Sequence, residues 1–351
     1  MSSNPFYIEI SKENLIYNSN YLQKTYNSKL LPVLKANAYG HDINIVSSIL
    51  YESGVKEFAV ARLCEGYKIL ENENLKDCKI LIFETVDQEE YPKLDSRIIL
   101  SANTFEDLKN MIEKGVPTEQ IQIKIDFGFG RNGIFFQEVD ELKEYLEKYD
   151  LKFSGIYSHL YALEKDEGAE VIEEFKKVIL FLGKDRFQMT HIQNSEGIYL
   201  HGNSNFFTHI RPGIYIYGIQ EPGIHMENIK QVLTLKGKID SIRQLKNKKY
   251  LAYSTKESTK IVGDENIAKI KIGYGDGFLK FNTFTQCVIN GKKFIINSIT
   301  MDNSFIQVDN TIKIGDEVVL YPDFNDVFLK LNVHIVELIC LLSPRLKRVV
   351  V

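Results

Sequence analysis

Short apolar runs alternate with longer amphipathic runs between about residues 29 and 220, and this alternation constrains the fold more than any other feature. The apolar runs have the length of buried strands, and the segments between most of them have helical spacing. The predicted strands are LLPVL (30–34), EFAVA (57–61), KILIF (79–83), RIIL (97–100), IQIKI (121–125), FSGIYS (153–158), FQMTHI (187–192) and FFTHI (206–210). This α/β pattern predicts a (β/α)8 barrel of the TIM type, with a doubly wound open sheet as the alternative.

Two helices are well marked between these strands. NTFEDLKNMIEKG is predicted to begin at an Asn103 cap and to end at Gly115, and EVDELKEYLEKY (138–149) has the same amphipathic spacing.

After residue 222 the pattern changes to closely spaced strands. The predicted strands are VLTLKGKIDSIRQL, KYLAYS, IAKIKIGY, QCVIN, KKFIINSITM, FIQVD and DEVVLY, followed by a helical stretch near 328–342. Turn pairs such as Asn290-Gly291 separate several of them. We therefore predict two domains, a barrel at residues 1–222 and a β-rich domain at residues 223–351.

Composition excludes several classes of protein. The chain of 351 residues is 44% hydrophobic, with a formal net charge of -4 and a pI near 6.0, so nothing favours nucleic acid as a partner. The four cysteines contain no C-x-x-C pair, which argues against a disulfide framework and against a metal site. There is no signal peptide pattern and no apolar window long enough to span a membrane. The sequence predicts a cytoplasmic protein.

Lys35 stands at the end of the first apolar run, in LLPVLKANAYGHD (30–42). A lysine in this position is often a solvated residue that merely ends a strand. The alternative is an amine that loses its proton at the mouth of an apolar barrel and forms a Schiff base with an aldehyde.

Four further polar residues follow other predicted strands. In a barrel of this type the active site lies at the C-terminal ends of the strands. Lys35 would meet there the residues Arg131, His159, His191 and Arg211. Each of them has an ordinary structural explanation, but together they predict a single cationic site.

Two segments predict a site for phosphate. HIQNSEG places Asn194 and Ser195 at a helix start, and RPGIYIYG places the backbone amides of Gly213 and Ile214 at another. Free amides at helix N-termini favour a phosphate dianion.

The chain resembles the alanine racemases, pyridoxal phosphate enzymes whose signature V-x-K-A-N-A-Y-G-H is present here as VLKANAYGHD. The resemblance continues through IKIDFGFGRNG, GIYSHLYA, HIQNSEG, RPGIYIYG, LAYS, IKIGYGDG, ITMDN and SPRLKRVV. It implies a barrel followed by a β-domain, with FYIEI (6–10) returning to the β-domain, and an obligate homodimer that acts on a small amino acid.

The resemblance also implies a mechanism with two bases. Lys35 would bind pyridoxal 5'-phosphate and serve as the base on one face of the substrate Cα. Tyr253, from the partner's β-domain, would be the base on the other face. A phenol has an ordinary pKa of about 10, so nearby positive charge must favour the phenolate.

Other roles follow from the same resemblance. His159 would contact Tyr253 and Arg211, Arg131 would bind the substrate carboxylate, and Arg211, oriented by His191, would face the pyridine nitrogen. The phosphate would be held by Tyr39, Asn194, Ser195, Gly213 and Ile214.

Three more positions carry implied roles near the substrate. Met301 and Tyr274 would line the substrate entry from the partner. Lys124 matches a lysine that is carbamylated in some members of the family; an unmodified lysine stays open as the alternative.

The sequence departs from the family in three places: Pro344 replaces a tyrosine that touches the phosphate in some members, Lys271 replaces a proline, and Ser254 replaces a glycine. Rival functions are a racemase of another small amino acid such as serine, a decarboxylase on the same scaffold, and a non-catalytic protein that binds pyridoxal phosphate. The continuation A-Y-G-H and the β-domain with Tyr253 favour the alanine racemase. A supply of D-alanine for cell-wall peptidoglycan is the role that the family implies.

Overall fold

The structure is a computed structural model that describes residues 6–161, 164–220, 226–246, 250–253 and 264–351. The strands of the first half are β1 (Tyr7–Ile10), β2 (Lys29–Leu30), β3 (Glu57–Val60), β4 (Lys79–Ile82), β5 (Ile98–Ala102), β6 (Ile121–Asp126), β7 (Ile134–Phe135), β8 (Phe153–Tyr157), β9 (Phe187–His191) and β10 (His209–Ile210). The helices among them are α1 (Lys12–Tyr26), α2 (Lys35–Tyr39), α3 (Ile43–Glu52), α4 (Leu63–Leu70), α5 (Phe105–Glu113), α6 (Val139–Lys148), α7 (Lys165–Leu182) and α8 (Ser195–His201).

Strands β2 to β6 and β8 to β10 are parallel and form a closed barrel. Neighbouring strands pair in the order β3-β4-β5-β6-β8-β9, and β10 pairs with β2. The bridge between Val33 and Ala59 joins the segment after β2 to β3, and the backbone N–H of Arg211 donates to the carbonyl of Gln193 at 3.0 Å to join β10 to β9. The predicted (β/α)8 barrel is therefore confirmed, and the open-sheet alternative is wrong.

The barrel strands coincide with the predicted apolar runs because nearly all of their residues are buried. One helix start differs from the prediction. Thr104, and not Asn103, caps α5, because the Thr104 hydroxyl oxygen accepts from the N–H of Asp107 at 2.9 Å. Asn103 instead donates from its side chain to the carbonyl of Phe83 at 3.0 Å, which ties the end of β5 to the end of β4.

The second half of the chain is β-rich. Its elements are β11 (Leu233–Lys246), β12 (Asp264–Ile270), β13 (Gln286–Ile289), β14 (Lys292–Ile299), β15 (Ser304–Val308), β16 (Glu317–Leu320), α9 (Phe324–Leu331), α10 (Ile335–Cys340) and β17 (Lys347–Val350). Strand β11 is long enough to pair with β16 at one end and with β12 at the other, so six antiparallel strands close on themselves. The predicted strand KYLAYS is wrong for Tyr250 to Tyr253, which are not in a strand. The predicted domain boundary at 222/223 lies outside the described residues.

Strand β1 joins the sheet of the second half. It lies between β11, to which it is antiparallel, and β17, to which it is parallel, with Tyr7 opposite both Lys236 and Lys347. The first and the last strands of the described chain are thus neighbours.

The second half also packs directly against the turn that follows Lys35. Gly40 has a φ of +80°, and a Cβ atom on it would lie 2.2 Å from the carbonyl oxygen of Ile339 in α10. The guanidinium of Arg348 in β17 donates to the carbonyl of Gly40 from Nε at 3.3 Å and from Nη2 at 3.2 Å. This contact fixes the position of the turn relative to the β-domain.

Among the described residues, no helix has the length and apolarity to cross a membrane.

Candidate active site

A cavity of about 240 Å³ lies at the C-terminal ends of the barrel strands. Ten of the predicted site residues line it: Lys35, Tyr39, Lys124, Arg131, His159, Asn194, Ser195, Arg211, Gly213 and Ile214. The other lining residues are Val33, Phe83, Glu84, Tyr157 and Glu196. The strand ends therefore bring together most of the residues that the sequence singled out.

Lys35 is followed by an unusual backbone conformation. Ala36, Asn37, Ala38 and Tyr39 all have φ between 51° and 55°, which makes α2 a left-handed turn. Left-handed helix costs about 1–2 kcal/mol per residue for residues other than glycine, so the surrounding structure must hold it. The turn reverses the chain sharply after Lys35 and buries Tyr39 beside the cavity.

The environment of Lys35 destabilises the charged form of its amine relative to an exposed lysine. Burial lowers the pKa of Lys35, and the positive charge of Arg131 lowers it further. The side chain reaches over Tyr39, with 5.9 Å between Nζ and the ring centroid. A lysine with a lowered pKa in a cavity can act as a nucleophile towards an aldehyde and as a base.

A chain of hydrogen bonds orients Arg211. Its Nη1 donates to Nδ1 of His191 at 2.6 Å, and its Nη2 donates to the carbonyl of Ser158 at 2.8 Å. Because a guanidinium can only donate, Nδ1 of His191 must be unprotonated, and its Nε2–H donates to Oε1 of Gln122 at 2.9 Å. Burial holds the pKa of His191 well below its ordinary value, in agreement with a neutral ring.

Arg211 itself is a buried cation. Burial lowers its pKa to about 10, so it stays charged at neutral pH. Tyr157 lies beneath it, with 5.4 Å between the guanidinium carbon and the ring centroid. The hydroxyl of Tyr157 bonds with that of Ser101 at 2.7 Å. Because Ser101 donates to the carbonyl of Ile82, Tyr157 must donate to Ser101.

His159 shares the cavity with these cations. Burial, Arg211 and Arg131 lower its pKa to about 3, so its ring is neutral across the physiological range. The ring of Phe129 lies against it edge to face, with centroids 5.1 Å apart. A neutral imidazole can donate a hydrogen bond from one ring nitrogen and accept one at the other.

The loop that carries Arg131 is fixed at several points. Asp126, at the end of β6, accepts from the N–H groups of Gly128 and Gly130, each at 2.9 Å. Asn132 donates from its side chain to Oε2 of Glu84 at 3.2 Å. The guanidinium of Arg131 lies 4.5 Å from the centroid of the Phe129 ring. These contacts fix the glycine-rich turn, which places the Arg131 guanidinium at the rim of the cavity.

Lys124 lies on the cavity side of β6. It is 5% exposed, and burial together with Arg131 and Arg211 lowers its pKa to about 8. The neutral form of the Lys124 amine therefore becomes populated at a lower pH than that of an ordinary lysine.

The residues predicted to bind phosphate line one part of the cavity, which is called the anion site: Tyr39, Asn194, Ser195, Gly213 and Ile214. Asn194 caps α8 by accepting from the N–H of Gly197 at 2.8 Å, and the N–H of Gly213 donates to the Ser195 hydroxyl oxygen at 3.0 Å. A Cβ atom on Gly213 would lie 2.9 Å from the hydroxyl of Tyr39. Two hydroxyls and the amides of two chain segments thus meet in a space that a larger residue would close.

The remaining predicted residues lie elsewhere. His191 is fully buried behind Arg211 and does not line the cavity. Tyr253, Tyr274 and Met301 are on the β-domain and are 84%, 37% and 55% exposed. None of the three lines the cavity of its own chain. Pro344 is exposed and is also absent from the lining, whereas Ser254 lies outside the described residues.

Several residues of the site were not predicted. Gln122 is one of them: it alternates with isoleucines and with the predicted Lys124 in IQIKID, and all six residues are buried. Polar residues at alternate positions of a buried strand point to one face, so this signal was present in the sequence. Glu84 and Tyr157 had no such signal, because their role depends on neighbours from other strands.

A cavity lined by basic and polar side chains at the C-terminal ends of a closed parallel barrel has the position and the composition of an enzyme active site. Two family models match the chain: "Alanine racemase, N-terminal domain" at residues 10–221 and "Alanine racemase, C-terminal domain" at residues 232–350. The chain belongs to the alanine racemase family.

Individual relatives agree with this assignment over the whole chain. An alanine racemase of Fusobacterium nucleatum is 32% identical over 360 residues, covering 98% of this chain and 99% of that protein. One of Aquifex aeolicus is 30% identical over 356 residues, covering 98% of both. A solved alanine racemase of Clostridium difficile 630 superimposes with a TM-score of 0.87 at 25% identity, covering 100% of this chain and 97% of that one.

Proposed function

We propose that this protein is an alanine racemase that interconverts L-alanine and D-alanine with pyridoxal 5'-phosphate as its cofactor. The observation that carries the proposal is the position of Lys35, whose pKa is lowered by burial, in the same cavity as Arg211 and the anion site around Ser195 and Gly213. The family membership supports the same reaction.

The residues present fit the cofactor. Tyr39, Asn194, Ser195 and the amides of Gly213 and Ile214 would hold its phosphate, and Lys35 would bind its aldehyde carbon. When bound, pyridoxal phosphate supplies an electron sink for the pair left behind when the substrate Cα loses its proton. Arg211, which stays charged and can only donate hydrogen bonds, would face the pyridine nitrogen and limit the strength of that sink.

The chain's own residues would move the protons. Lys35 Nζ, freed by the incoming substrate, would take or give the proton on one face of Cα, and Arg131 at the rim would bind the substrate carboxylate. Inversion needs a second base on the opposite face. We assign this role to Tyr253, with His159 as the group that passes its proton on.

Tyr253 does not line the cavity of its own chain, and its high exposure leaves it accessible to a second copy. We therefore propose a homodimer in which Tyr253, Tyr274 and Met301 of each chain complete the partner's site. A fully active monomer, measured by light scattering coupled to an activity assay, would refute this part of the proposal.

Lys124 is proposed as a carbamylated residue that braces Arg131. Its lowered pKa supplies the neutral amine that reaction with CO₂ requires, and Arg131 and Arg211 would stabilise the negative charge of the product.

A cytoplasmic location and a role in supplying D-alanine for peptidoglycan complete the proposal. All four cysteines are free thiols in the structure, which supports a reducing compartment.

The test is to incubate the cofactor-loaded protein with L-alanine in heavy water and to follow the Cα proton signal and the chirality of the product. Deuterium at Cα together with D-alanine is the expected result. Exchange without inversion would refute the second base, and reaction with L-serine but not with L-alanine would refute the substrate.

A further inference from the structure

The Glu65 carboxylate joins two neighbouring barrel strands at their C-terminal ends. Its Oε1 accepts from the backbone N–H of Ala36 at 2.6 Å. Its Oε2 accepts from the N–H groups of Ala61 and Arg62, each at 3.0 Å. Ala36 directly follows Lys35, and Ala61 directly follows β3. One side chain therefore ties the lysine segment to the next strand.

Part of this arrangement is ordinary helix capping. Glu65 is the third residue of α4, and its bond to the N–H of Arg62 is the usual contact from that position. Only Oε2 serves the cap. Oε1 instead accepts from Ala36, which belongs to a different βα unit.

The bond to Ala36 acts on a strained segment. Ala36 is the first of the four residues with left-handed φ values, and such a segment persists only where its surroundings hold it. A bond between an ionised carboxylate and a backbone N–H is about twice as strong as one between neutral groups. The contact therefore holds the turn at the residue where it leaves Lys35.

We propose that Glu65 is a positioning residue for Lys35, because its carboxylate fixes the start of the left-handed turn and so sets where the lysine amine enters the cavity. The inference rests on the proposed function, in which Lys35 binds pyridoxal phosphate.

The charge of Glu65 has a second, separable effect. The groups that act on Lys35 are Arg131, which lowers its pKa, and Cys340, Glu65 and Glu84, which raise it against the lowering by burial. Removing the Glu65 charge should lower the pKa of Lys35 further, whereas a residue that only capped α4 would leave it unchanged.

The experiment measures how fast the full-length chain, freed of cofactor with hydroxylamine and dialysed, condenses with pyridoxal phosphate across a range of pH. The neutral Nζ adds to the aldehyde carbon and water leaves, so the rate rises as Lys35 loses its proton. Borohydride reduction and peptide mapping locate the adduct. If the wild-type adduct is not on Lys35, the proposed function is refuted independently of Glu65.

Glu65→Gln keeps the size of the side chain but supplies only one acceptor oxygen. The variant therefore loses either the bond from Ala36 or the bonds from Ala61 and Arg62. We expect condensation at least about tenfold slower at the high-pH plateau because the amine is misplaced, and a lower midpoint because the Glu65 charge raises the pKa of Lys35. Thr104→Ala, which removes the cap of α5 in the same barrel, is the matched control. It should lower the melting temperature and leave both the plateau and the midpoint unchanged.

Glu65→Asp separates position from charge and replaces Glu65→Gln should that variant not fold. The shorter side chain withdraws the carboxylate from Ala36 but retains the charge. We expect slower condensation with a nearly unchanged midpoint. Wild-type rates and midpoints in the variant that folds would overturn the inference.

Discussion

Arg211 donates a hydrogen bond from Nη1 to Nδ1 of His191 across 2.6 Å, so a neutral imidazole orients the most deeply buried cation of the cavity. In His191→Leu the guanidinium loses this acceptor in a site with little water. We expect the free energy of unfolding to fall by about 1–3 kcal/mol, the cost of an unpaired buried donor. Affinity for pyridoxal phosphate should also fall. Urea unfolding and equilibrium dialysis measure the two effects.

His201→Leu is the control for that change. Nε2 of His201 has no hydrogen-bond partner among the described residues, so its loss should cost less than that of His191. Equal losses in the two variants would contradict the orienting role of His191.

Tyr253→Phe removes the hydroxyl proposed as the second base and leaves the ring in place. Because Tyr253 is not among the residues proposed to hold the cofactor, cofactor affinity should be unchanged. Racemisation should fall by about 10²–10⁴-fold, the usual contribution of a general base. Chiral chromatography of the products measures the rate. Tyr149→Phe, an exposed tyrosine on the barrel, should retain full activity; a similar loss there would mean that the effect is not specific.

Lys124 should react with CO₂ in a pH-dependent way. The neutral Nζ attacks the carbon of CO₂ and loses a proton, so carbamate should increase as pH rises through the lysine pKa of about 8. Carbon-13 NMR in labelled bicarbonate should show one signal that is absent in Lys124→Arg. An identical spectrum from that variant would place the modification elsewhere, and no signal at all would leave Lys124 unmodified.

His41 should make stability depend on pH. Its ring is fully buried, its Nδ1–H donates towards the carbonyls of Ala38 and Tyr39, each at 3.0 Å, and burial lowers its pKa to about 4. As the pH falls below 6.5, His41 binds a proton in the unfolded chain but not yet in the folded chain. The free energy of unfolding should therefore fall as pH drops from 6.5 towards 4, by up to about 1.4 kcal/mol per pH unit.

Urea unfolding at several pH values, compared with His41→Asn, tests this prediction. Asparagine retains a hydrogen-bond donor but does not titrate. The slope of the free energy of unfolding against pH should therefore decrease by the contribution of about one proton. An unchanged slope would mean that His41 titrates alike in the folded and unfolded chains.

Gly40→Ala and Gly54→Ala form a matched pair. Both glycines have positive φ values, +80° and +101°, but only Gly40 faces a backbone atom at close range. Gly54→Ala should cost about 1–2 kcal/mol from backbone strain alone. Gly40→Ala should cost more than about 3 kcal/mol, because α10 must move as well. If urea unfolding gave the same loss of stability for both variants, α10 would move away from the turn at little cost in free energy.

The barrel could be predicted from the sequence because its signal is local. Runs such as KILIF and IQIKI are buried on both sides and read as strands without knowledge of their neighbours. The residues at the strand ends followed from the barrel, since parallel strands bring their C-terminal ends to one rim.

The turn after Lys35 could not be predicted in the same way. KANAY has no glycine, and local sterics favour a right-handed helix for such a segment. Groups distant in sequence bind the left-handed turn at both ends: Glu65 accepts from the N–H of Ala36, and Arg348 donates to the carbonyl of Gly40. Likewise, Thr104 was missed as a cap because Asn103, an equally good capping residue, precedes it.

The pairing of β1 with β17 has a consequence for synthesis of the protein. Tyr7 is made 340 residues before its partner Lys347. At about 5–20 residues per second, the first strand waits for tens of seconds with unpaired edges. The β-sheet can be completed only after β17 has been made, and because Arg348 in β17 also holds the turn at Gly40, the cavity gains its final shape only at that stage.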